Sequence, residues 1–328
     1  MNKVNLPTNA IIAVTLNCNS KCVMCDIWKN RIKNELKPKE YLNLPPGLKD
    51  INITGGEPLL RKDLPEIIES IKVKSPKAKL ILNTNGYLPK IIQKKIPQIL
   101  QIDPNFVVRV SIDGWKQTHD NIRRIPNGFN KILKSIKILK RSEVKDLGIS
   151  FTIIEQNYKD LEKIHQFSID QNIELSLTIA TDSSTYFGKE KKKLRPNNIK
   201  LKKCISKVVS KRLKSTNLKE WFRGWFEFEL INYILSCKRP LECDAGKRFF
   251  YLDSVGNIYT CNIKNWLLGN IRNSSFNKIW NSQKALSLHL KTKNCQDCWM
   301  ICNAKTQIKS NIISVSSQVI KHKFRTIL

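Results

Sequence analysis

The sequence predicts an α/β protein. Six parallel strands form a sheet, open or closed into a partial barrel, and a helical connection leads to a small cysteine-bearing region. Three observations carry this prediction. Between residue 10 and about 180, short runs of Ile, Val and Leu alternate with Lys-rich amphipathic stretches. No hairpin signal separates consecutive runs, so each strand is followed by a crossover helix. Beyond residue 240 that rhythm is replaced by turn residues and clustered cysteines.

The strands are expected at Ala10–Leu16, Asp50–Thr54, Lys79–Thr84, Phe106–Ile112, Leu147–Ile154 and Glu174–Ala180. Helices fall between them at Leu64–Val73, Pro89–Leu100, Gly128–Arg141 and Lys159–Gln171. In Lys131–Lys140 the apolar residues recur at three- and four-residue steps, which gives one buried face. Residues 181–198 are polar, charged and Pro-punctuated and read as a linker. Helical segments follow, including the aromatic-dense Trp221–Phe228. Phe249–Asp253 and Asn257–Cys261 flank Ser254, Val255 and Gly256, a hairpin signature. The expected division is therefore a core at 1–180, a linker and helical region at 181–240, a cysteine domain at 241–305 and a basic tail at 306–328.

The chain has 328 residues, 58 Lys+Arg against 27 Asp+Glu, and a formal charge of +31. Hydrophobic residues make up 41 %, enough for a large core, which excludes a disordered polycation. No apolar run approaches the roughly 18–20 residues of a membrane span, and Ala10–Leu16 is too short for a signal peptide. Only 13 of the basic residues are Arg. The densest run, Lys189–Arg195, lacks the Arg and aromatic interleaving common in nucleic-acid sites and reads as a solvated linker or helix start. The Lys bias reads as a coding habit, with at most a hint of an anionic substrate. Ten cysteines in a chain expected in the reducing cytoplasm favour metal or catalytic sites over disulfides.

Cys18, Cys22 and Cys25 form a CX3CX2C loop directly after the first strand. Three thiolates from one loop can wrap a metal centre, and soft thiolates select zinc or iron–sulfur clusters. Structural zinc takes four protein ligands, and no fourth Cys or His lies nearby. The second group opens with Cys243, twelve residues, Gly256, four residues and Cys261, and closes with Cys295, Cys298 and Cys302. Four of these thiolates complete a tetrahedral site, so zinc is chemically possible there. Cys204 and Cys237 have no partner spacing and read as core or surface thiols.

The first loop, at the end of the first strand of a repeated β/α unit, resembles the radical S-adenosylmethionine (SAM) superfamily. That resemblance implies a partial (βα)6 TIM-like barrel and a four-iron–four-sulfur (4Fe-4S) cluster on Cys18, Cys22 and Cys25, with SAM on its open iron. It further implies SAM contacts from Met24, which stands where an aromatic residue is usual, and from Gly55, Gly56 and Glu57 after the second strand. Asn85, at the third strand end, fits the family's Thr-Asn-Gly habit. Ser111 and Asp113 would lie by the ribose, Arg123 by the SAM carboxylate, and Asn157 beyond the fifth strand would add a polar contact. His119 reads as a structural hydrogen-bonder, and no acid–base catalyst is assigned.

The later cysteines resemble the SPASM/Twitch extensions of that superfamily. The resemblance implies a second, auxiliary 4Fe-4S cluster in a hairpin-and-helix domain, with Cys243, Cys261, Cys295 and Cys298 as default ligands and Cys302 as competing ligand or spare. The implied activity is reductive cleavage of SAM to a 5′-deoxyadenosyl radical. Hydrogen abstraction from an unactivated C–H bond follows, and then oxidation or cross-linking of the substrate. The implied partners are a flavodoxin or ferredoxin reductant and a substrate that is either a sugar or nucleotide-linked metabolite or a peptide side chain. Seventeen residues before Cys18 leave no room for an N-terminal leader-binding domain, which weighs against the peptide. The alternative is a zinc-stabilised, basic nucleic-acid-binding protein, which would leave the segments at 55–57 and 111–123 unexplained.

Overall fold

The computed structural model describes residues 5–30, 32–188 and 194–327. Most of the basic run Lys189–Arg195 therefore lies outside the described residues. Strands β1 (Asn9–Thr15), β2 (Asp50–Gly55), β3 (Lys79–Thr84), β4 (Val107–Ser111), β5 (Asp146–Ile153) and β6 (Glu174–Ile179) fall within a residue or two of their expected positions. Each pairs in parallel with its sequence neighbour. The crossovers carry helices α1 (Leu64–Lys74), α2 (Pro89–Ile102), α3 (Gln117–Arg123), α4 (Gly128–Arg141) and α5 (Leu161–Asp170). This is the parallel core of a partial barrel.

Two long helices follow, α6 (Asn198–Lys214) and α7 (Leu218–Ser236), and then the hairpin β7 (Phe249–Leu252) and β8 (Asn257–Tyr259) with β9 (Leu267–Asn270). The chain closes with α8 (Phe276–Trp280), α9 (Gln283–Lys293), α10 (Ile301–Ser310) and α11 (Ile312–Ile327). The hairpin does not form a sheet of its own. β7 runs parallel to β1, with Asn9 opposite Phe249 and Ile12 opposite Leu252. One nine-stranded sheet results, ordered β6-β5-β4-β3-β2-β1-β7-β8-β9.

The expected basic tail at 306–328 is a second departure. Val315 and Val319 are buried in the main core, and Lys323 donates to the carbonyls of Leu213 and Ser215, so α11 packs on α6 and α7. Its apolar residues recur at helical spacing, and the Lys side chains between them masked that face. No described helix is long and apolar enough to cross a membrane.

Alternation along each strand sorts residues onto two faces. Val14, Ile53, Leu82, Val110, Phe151 and Leu177 join the core under the helices. The opposite face turns toward the barrel interior. At the amino-terminal ends of the strands, ion pairs close that interior. Arg109 reaches Asp146 (2.6 Å) and Glu174 (2.7 Å), Lys79 reaches Asp146 (2.7 Å), and Lys305 and Lys309 of α10 reach Asp50. Gly148 makes room for the Arg109 side chain, since a Cβ there would lie 3.0 Å from its Cδ.

The β6 edge is covered by α6 and α7. Arg212 and Arg223 both donate to the Leu175 carbonyl, at 2.7 and 2.6 Å, which blocks further strand pairing there. Arg212 is 1 % exposed and also pairs with Glu220 (2.6 Å) and with buried Glu227 (2.9 Å, out of hydrogen-bond alignment). Burial pushes the Glu227 carboxyl up to about 7, against the pull of Arg212.

Removing one partner of a buried pair leaves an uncompensated charge. Arg212→Ala is expected to lose about 3 kcal/mol, lowering the thermal midpoint by about 4 °C. A carboxyl whose pKa is higher folded than unfolded favours the fold when protonated. Its contribution is full below the unfolded value of 4.5 and is lost as pH rises through about 7. In Glu227→Gln the fall in melting temperature between pH 5 and 8 should flatten, as calorimetry at stepped pH would read.

Candidate functional site

The carboxyl ends of β1, β2 and β3 are drawn together by two glycines and one carboxylate. Gly55 has φ +131°, and a Cβ there would sit 2.0 Å from the Thr15 carbonyl oxygen. At Gly56 it would sit 2.2 Å from that of Asn17. The close approach lets Gly56 N–H donate to Thr15 and Glu57 N–H to Asn17, both at 2.8 Å, tying the β2 turn to the start of the cysteine loop.

Glu57 is fully buried. Its carboxylate accepts from Thr84 Oγ1 (2.8 Å), Asn85 N–H (2.7 Å) and Leu59 N–H (3.1 Å), so in this structure it braces the β2 and β3 ends. Asn85 passes the brace on, donating from Nδ2 to Asn19 Oδ1 in the cysteine loop at 2.7 Å.

The loop is also clamped by α3. Val23 N–H donates to the Ile122 carbonyl (2.9 Å), Ser20 Oγ donates to that of Arg123 (2.8 Å), and Arg123 Nη1 donates to Cys22 Sγ (3.6 Å). Asp113 is fully buried and ion-paired with Arg123, whose Nε lies 2.5 Å from Oδ2. Burial works against the Arg123 charge, and Asp113 and Cys22 more than offset it, holding the guanidinium well above its ordinary value. Asn157 spends its amide on the Asp113 and Thr152 carbonyls and on Ile154 N–H, which shapes the β5 end. His119 is buried between Asp113 N–H and the Tyr87 hydroxyl, and burial lowers it to about 3, so it stays neutral as a structural hydrogen-bonder. Met24 is half-buried in the loop, and Ser111 half-buried at the β4 end.

Both cysteine groups meet on the interior face. Ile11, Ala13, Tyr251, Cys243 and Cys261 form one buried cluster, with Cys18, Cys25, Cys295 and Cys302 packed against it. Burial pushes the Cys18 thiol up to about 12, with Cys22, Glu57 and Cys25 adding to the rise despite a hydrogen bond from Ser20. Burial likewise raises Cys261 to about 11 and Cys295 to about 12, and lifts Cys243 and Cys302. The sulfurs that raise Cys302 further are those of Cys298, Cys261 and Cys243. Cys295 instead donates to Asp297 Oδ2 (3.1 Å), which pairs with Lys264 (2.7 Å). Cys298 accepts from Asn303 (3.3 Å) and Arg239 (3.8 Å).

Crowded neutral thiols of this kind become thiolates when an electrophilic centre replaces their protons. Among the described residues no three His, Cys, Asp or Glu side chains converge on a point that could hold a single ion. Around the second group, Tyr251 Oη, Asn262 Oδ1 and Asn303 Oδ1 are buried without a hydrogen-bond partner. Soft sulfur donors fit iron–sulfur clusters in both places, and unspent polar atoms surround the second. Cys204 and Cys237 lie away on α6 and at the end of α7.

The sequence reading missed the lumen above the ion pairs. Ser111, Ser150 and Ser176 stand in lateral register on β4, β5 and β6, with Thr152 opposite Thr178 one step further along. All five are half-buried on the interior face, and none of their hydroxyls meets a protein partner among the described residues. An open cavity of about 840 Å³ at the cysteine loop is lined by Asn17, Cys18, Asn19, Lys21, Trp28, Lys29 and Leu60.

Residues 12–168 match the radical SAM superfamily, and residues 243–299 match the SPASM iron–sulfur cluster-binding domain. The Fe-coproporphyrin III synthase of Methanosarcina barkeri is 32 % identical over 167 residues, 49 % of this chain and 40 % of that protein. The AdoMet-dependent heme synthase of the same organism is 26 % identical over 301 residues, 84 % of this chain and 82 % of the relative. A cysteine-type anaerobic sulfatase-maturating enzyme of Clostridium novyi is 24 % identical over 321 residues, 85 % and 82 % respectively. The solved structure of native anSMEcpe with bound AdoMet superposes with a TM-score of 0.64 at 18 % identity, covering 97 % of this chain and 99 % of the other, and shares its fold. None of these matches supports the zinc-stabilised, nucleic-acid-binding alternative.

Gly56→Ala tests the close approach. The added methyl must push the Asn17 backbone away, and with it the cysteine loop. We expect a folded protein by circular dichroism that takes up about half the wild-type iron on anaerobic reconstitution, four atoms per chain rather than eight.

Proposed function

The chain belongs to the radical SAM superfamily and carries a SPASM iron–sulfur domain, and we propose that it oxidises or cross-links a peptide or protein side chain. The observation that carries this reading is the packing of both cysteine groups on one interior cluster. A substrate lying there would have the SAM-binding loop on one side and the auxiliary thiols on the other. The bound cluster and SAM supply an electron and a 5′-deoxyadenosyl radical able to take a hydrogen atom from an unactivated carbon.

This chain's residues then bind and orient. Cys18, Cys22 and Cys25 would hold the SAM cluster. The Gly55–Gly56 backbone would receive the methionyl end, with Glu57 and Asn85 fixing its position from behind. Ser111 would reach the ribose and Met24 the adenine. Arg123, already neutralised by Asp113, would offer its remaining donors to the SAM carboxylate, and Asn157 would keep the β5 end in place. Expulsion of water by the walls around this lumen protects a reactive carbon centre.

The lumen favours a neutral, hydrogen-bonding substrate over an anionic sugar nucleotide. Its cations on the described strands are matched: Arg109 and Lys79 to Asp146, Arg109 also to Glu174. The aligned hydroxyls of Ser150, Ser176 and Thr178 suit peptide amides and carbonyls. The names of the relatives span macrocycle synthesis and protein maturation, so the preference rests on the lumen. A flavodoxin or ferredoxin of the reducing cytoplasm would supply the electron.

At the auxiliary site Cys302 is favoured over the default Cys295 as the ligand beside Cys243, Cys261 and Cys298, because the Cys295 thiol is engaged by Asp297 Oδ2 (3.1 Å) while Cys302 packs on the interior cluster with no such partner among the described residues. Cys302→Ala should halve the bound iron to about four atoms, while Cys295→Ala should keep nearly eight, by elemental analysis after reconstitution. The activity itself is tested by incubating reconstituted enzyme with SAM and dithionite. The expected results are absorption near about 400 nm from the clusters, release of 5′-deoxyadenosine, and a peptide product lighter by two hydrogen atoms. Bound zinc with no chromophore and no SAM cleavage would sink the reading.

A further inference from the structure

Residues 183–188, expected as part of a linker, bridge the two cysteine groups. On one side Ser183 Oγ donates to the Asn262 carbonyl at 2.7 Å, next to Cys261. Ser183 also closes a turn, its Oγ accepting from Tyr186 N–H (3.0 Å) and its carbonyl from Phe187 N–H (3.1 Å). On the other side the Phe187 carbonyl accepts from Asp26 N–H at 2.8 Å and from Cys25 Sγ at 3.7 Å. Gly188, at φ +62°, lies flat on the same loop, where a Cβ would come within 3.2 Å of the Asp26 carbonyl carbon.

Tyr186 stands at the middle of this strap. Its ring meets Phe187 and Tyr251 edge-on, with centroids 4.7 and 5.5 Å away. Its hydroxyl is 3.2 Å from Thr54 Oγ1, the residue that leads into Gly55 and Gly56. It packs on the interior cluster together with Cys18, Cys25, Cys295 and Cys302. One short segment thus touches the first cysteine loop, the glycine turn, β7 and the loop after Cys261.

We propose that Ser183–Gly188 is a coupling strap and Tyr186 a positioning residue: the strap sets the glycine turn and first cysteine loop for SAM, and links that geometry to the filling of the second thiol site. The inference rests on the radical SAM reading above. The physical basis is that hydrogen bonds at both ends, from the Ser183 hydroxyl to Asn262 and from Asp26 N–H to the Phe187 carbonyl, leave the strap few conformations. A shift at Asn262 on cluster binding is therefore carried to Asp26 and, through Tyr186, to Thr54. Coupling through one such element has a typical strength of 1–3 kcal/mol, fivefold to about 150-fold in affinity.

The test uses reconstituted full-length enzyme, SAM as the probe and no substrate. Iron content, the SAM dissociation constant and the electron paramagnetic resonance change on adding SAM to the reduced protein are measured for wild type, Tyr186→Leu, Tyr186→Phe, Ser183→Ala and Cys261→Ser. Tyr186→Leu and Ser183→Ala should keep full iron yet bind SAM about tenfold more weakly, with a diminished spectral change. Tyr186→Phe, which keeps both ring contacts, should recover most of the affinity. Cys261→Ser should weaken SAM binding in the wild-type background but add little in Ser183→Ala, the non-additivity of a shared path.

Wild-type affinity and spectrum in Tyr186→Leu and Ser183→Ala, or additive losses in the double variant, would overturn the strap while leaving the enzyme reading intact. A wild-type protein that assembles no iron–sulfur cluster would overturn the reading beneath it, and the strap with it.

Discussion

One buried carboxylate holds the working end of this molecule together. Glu57 lies where β2 ends, has no solvent contact, and receives hydrogen bonds from β3 and from its own turn. Burial drives its carboxyl up to about 7 against those hydrogen bonds. An acid in that position is tolerable only while its donors stay put. Thr84, Asn85 and Leu59 are therefore fixed, Asn85 fixes Asn19, and the cysteine loop inherits its position from this one buried side chain. The same logic recurs at Asp113, which orients Arg123 and the β5 end from a fully buried site.

The sheet separates duties by face and by end. Branched apolar residues on the outer face pack under the helices, which makes the strands legible as runs of Ile, Val and Leu. The inner face is charged at the amino ends, where Arg109, Asp146 and Glu174 neutralise one another. It is hydroxyl-lined further along and sulfur-lined at the mouth. Strand carboxyl ends are where parallel α/β barrels place their chemistry, and here both thiol groups and the two glycines gather there.

Much of this could be read from the sequence, for reasons that differ residue by residue. β3 falls at its expected Lys79–Thr84 because Leu80, Ile81 and Leu82 form a short apolar run between Lys-rich amphipathic stretches. The thiol groups were evident because ligand spacing is local. The strap was not, because Ser183, Tyr186 and Gly188 owe their roles to Asn262, Thr54 and Asp26, each far off in sequence. The resemblance implies SAM contacts from Glu57 and Arg123; that Glu57 also accepts from Thr84 and Asn85, and that Arg123 pairs with Asp113, is visible only in the fold. The helix at 312–327 was hidden by composition: seven apolar side chains among Lys, Ser and Gln resemble a tail until α6 and α7 offer a surface to receive Val315 and Val319.

The parallel pairing of β1 with β7 has a consequence for how the chain acquires its shape. The first strand must wait for a partner some 240 residues away, so during synthesis β1 has β2 on one side and an open row of backbone donors and acceptors on the other. Contacts of such long separation form late and slowly, and an unpaired edge in the interval invites pairing with another chain. Cutting the molecule between its two cysteine regions would make that interval permanent. The two halves are thus not interchangeable modules that an engineer could exchange at residue 240. They are successive instalments of one sheet, and the nascent barrel depends on shelter until the last of them arrives.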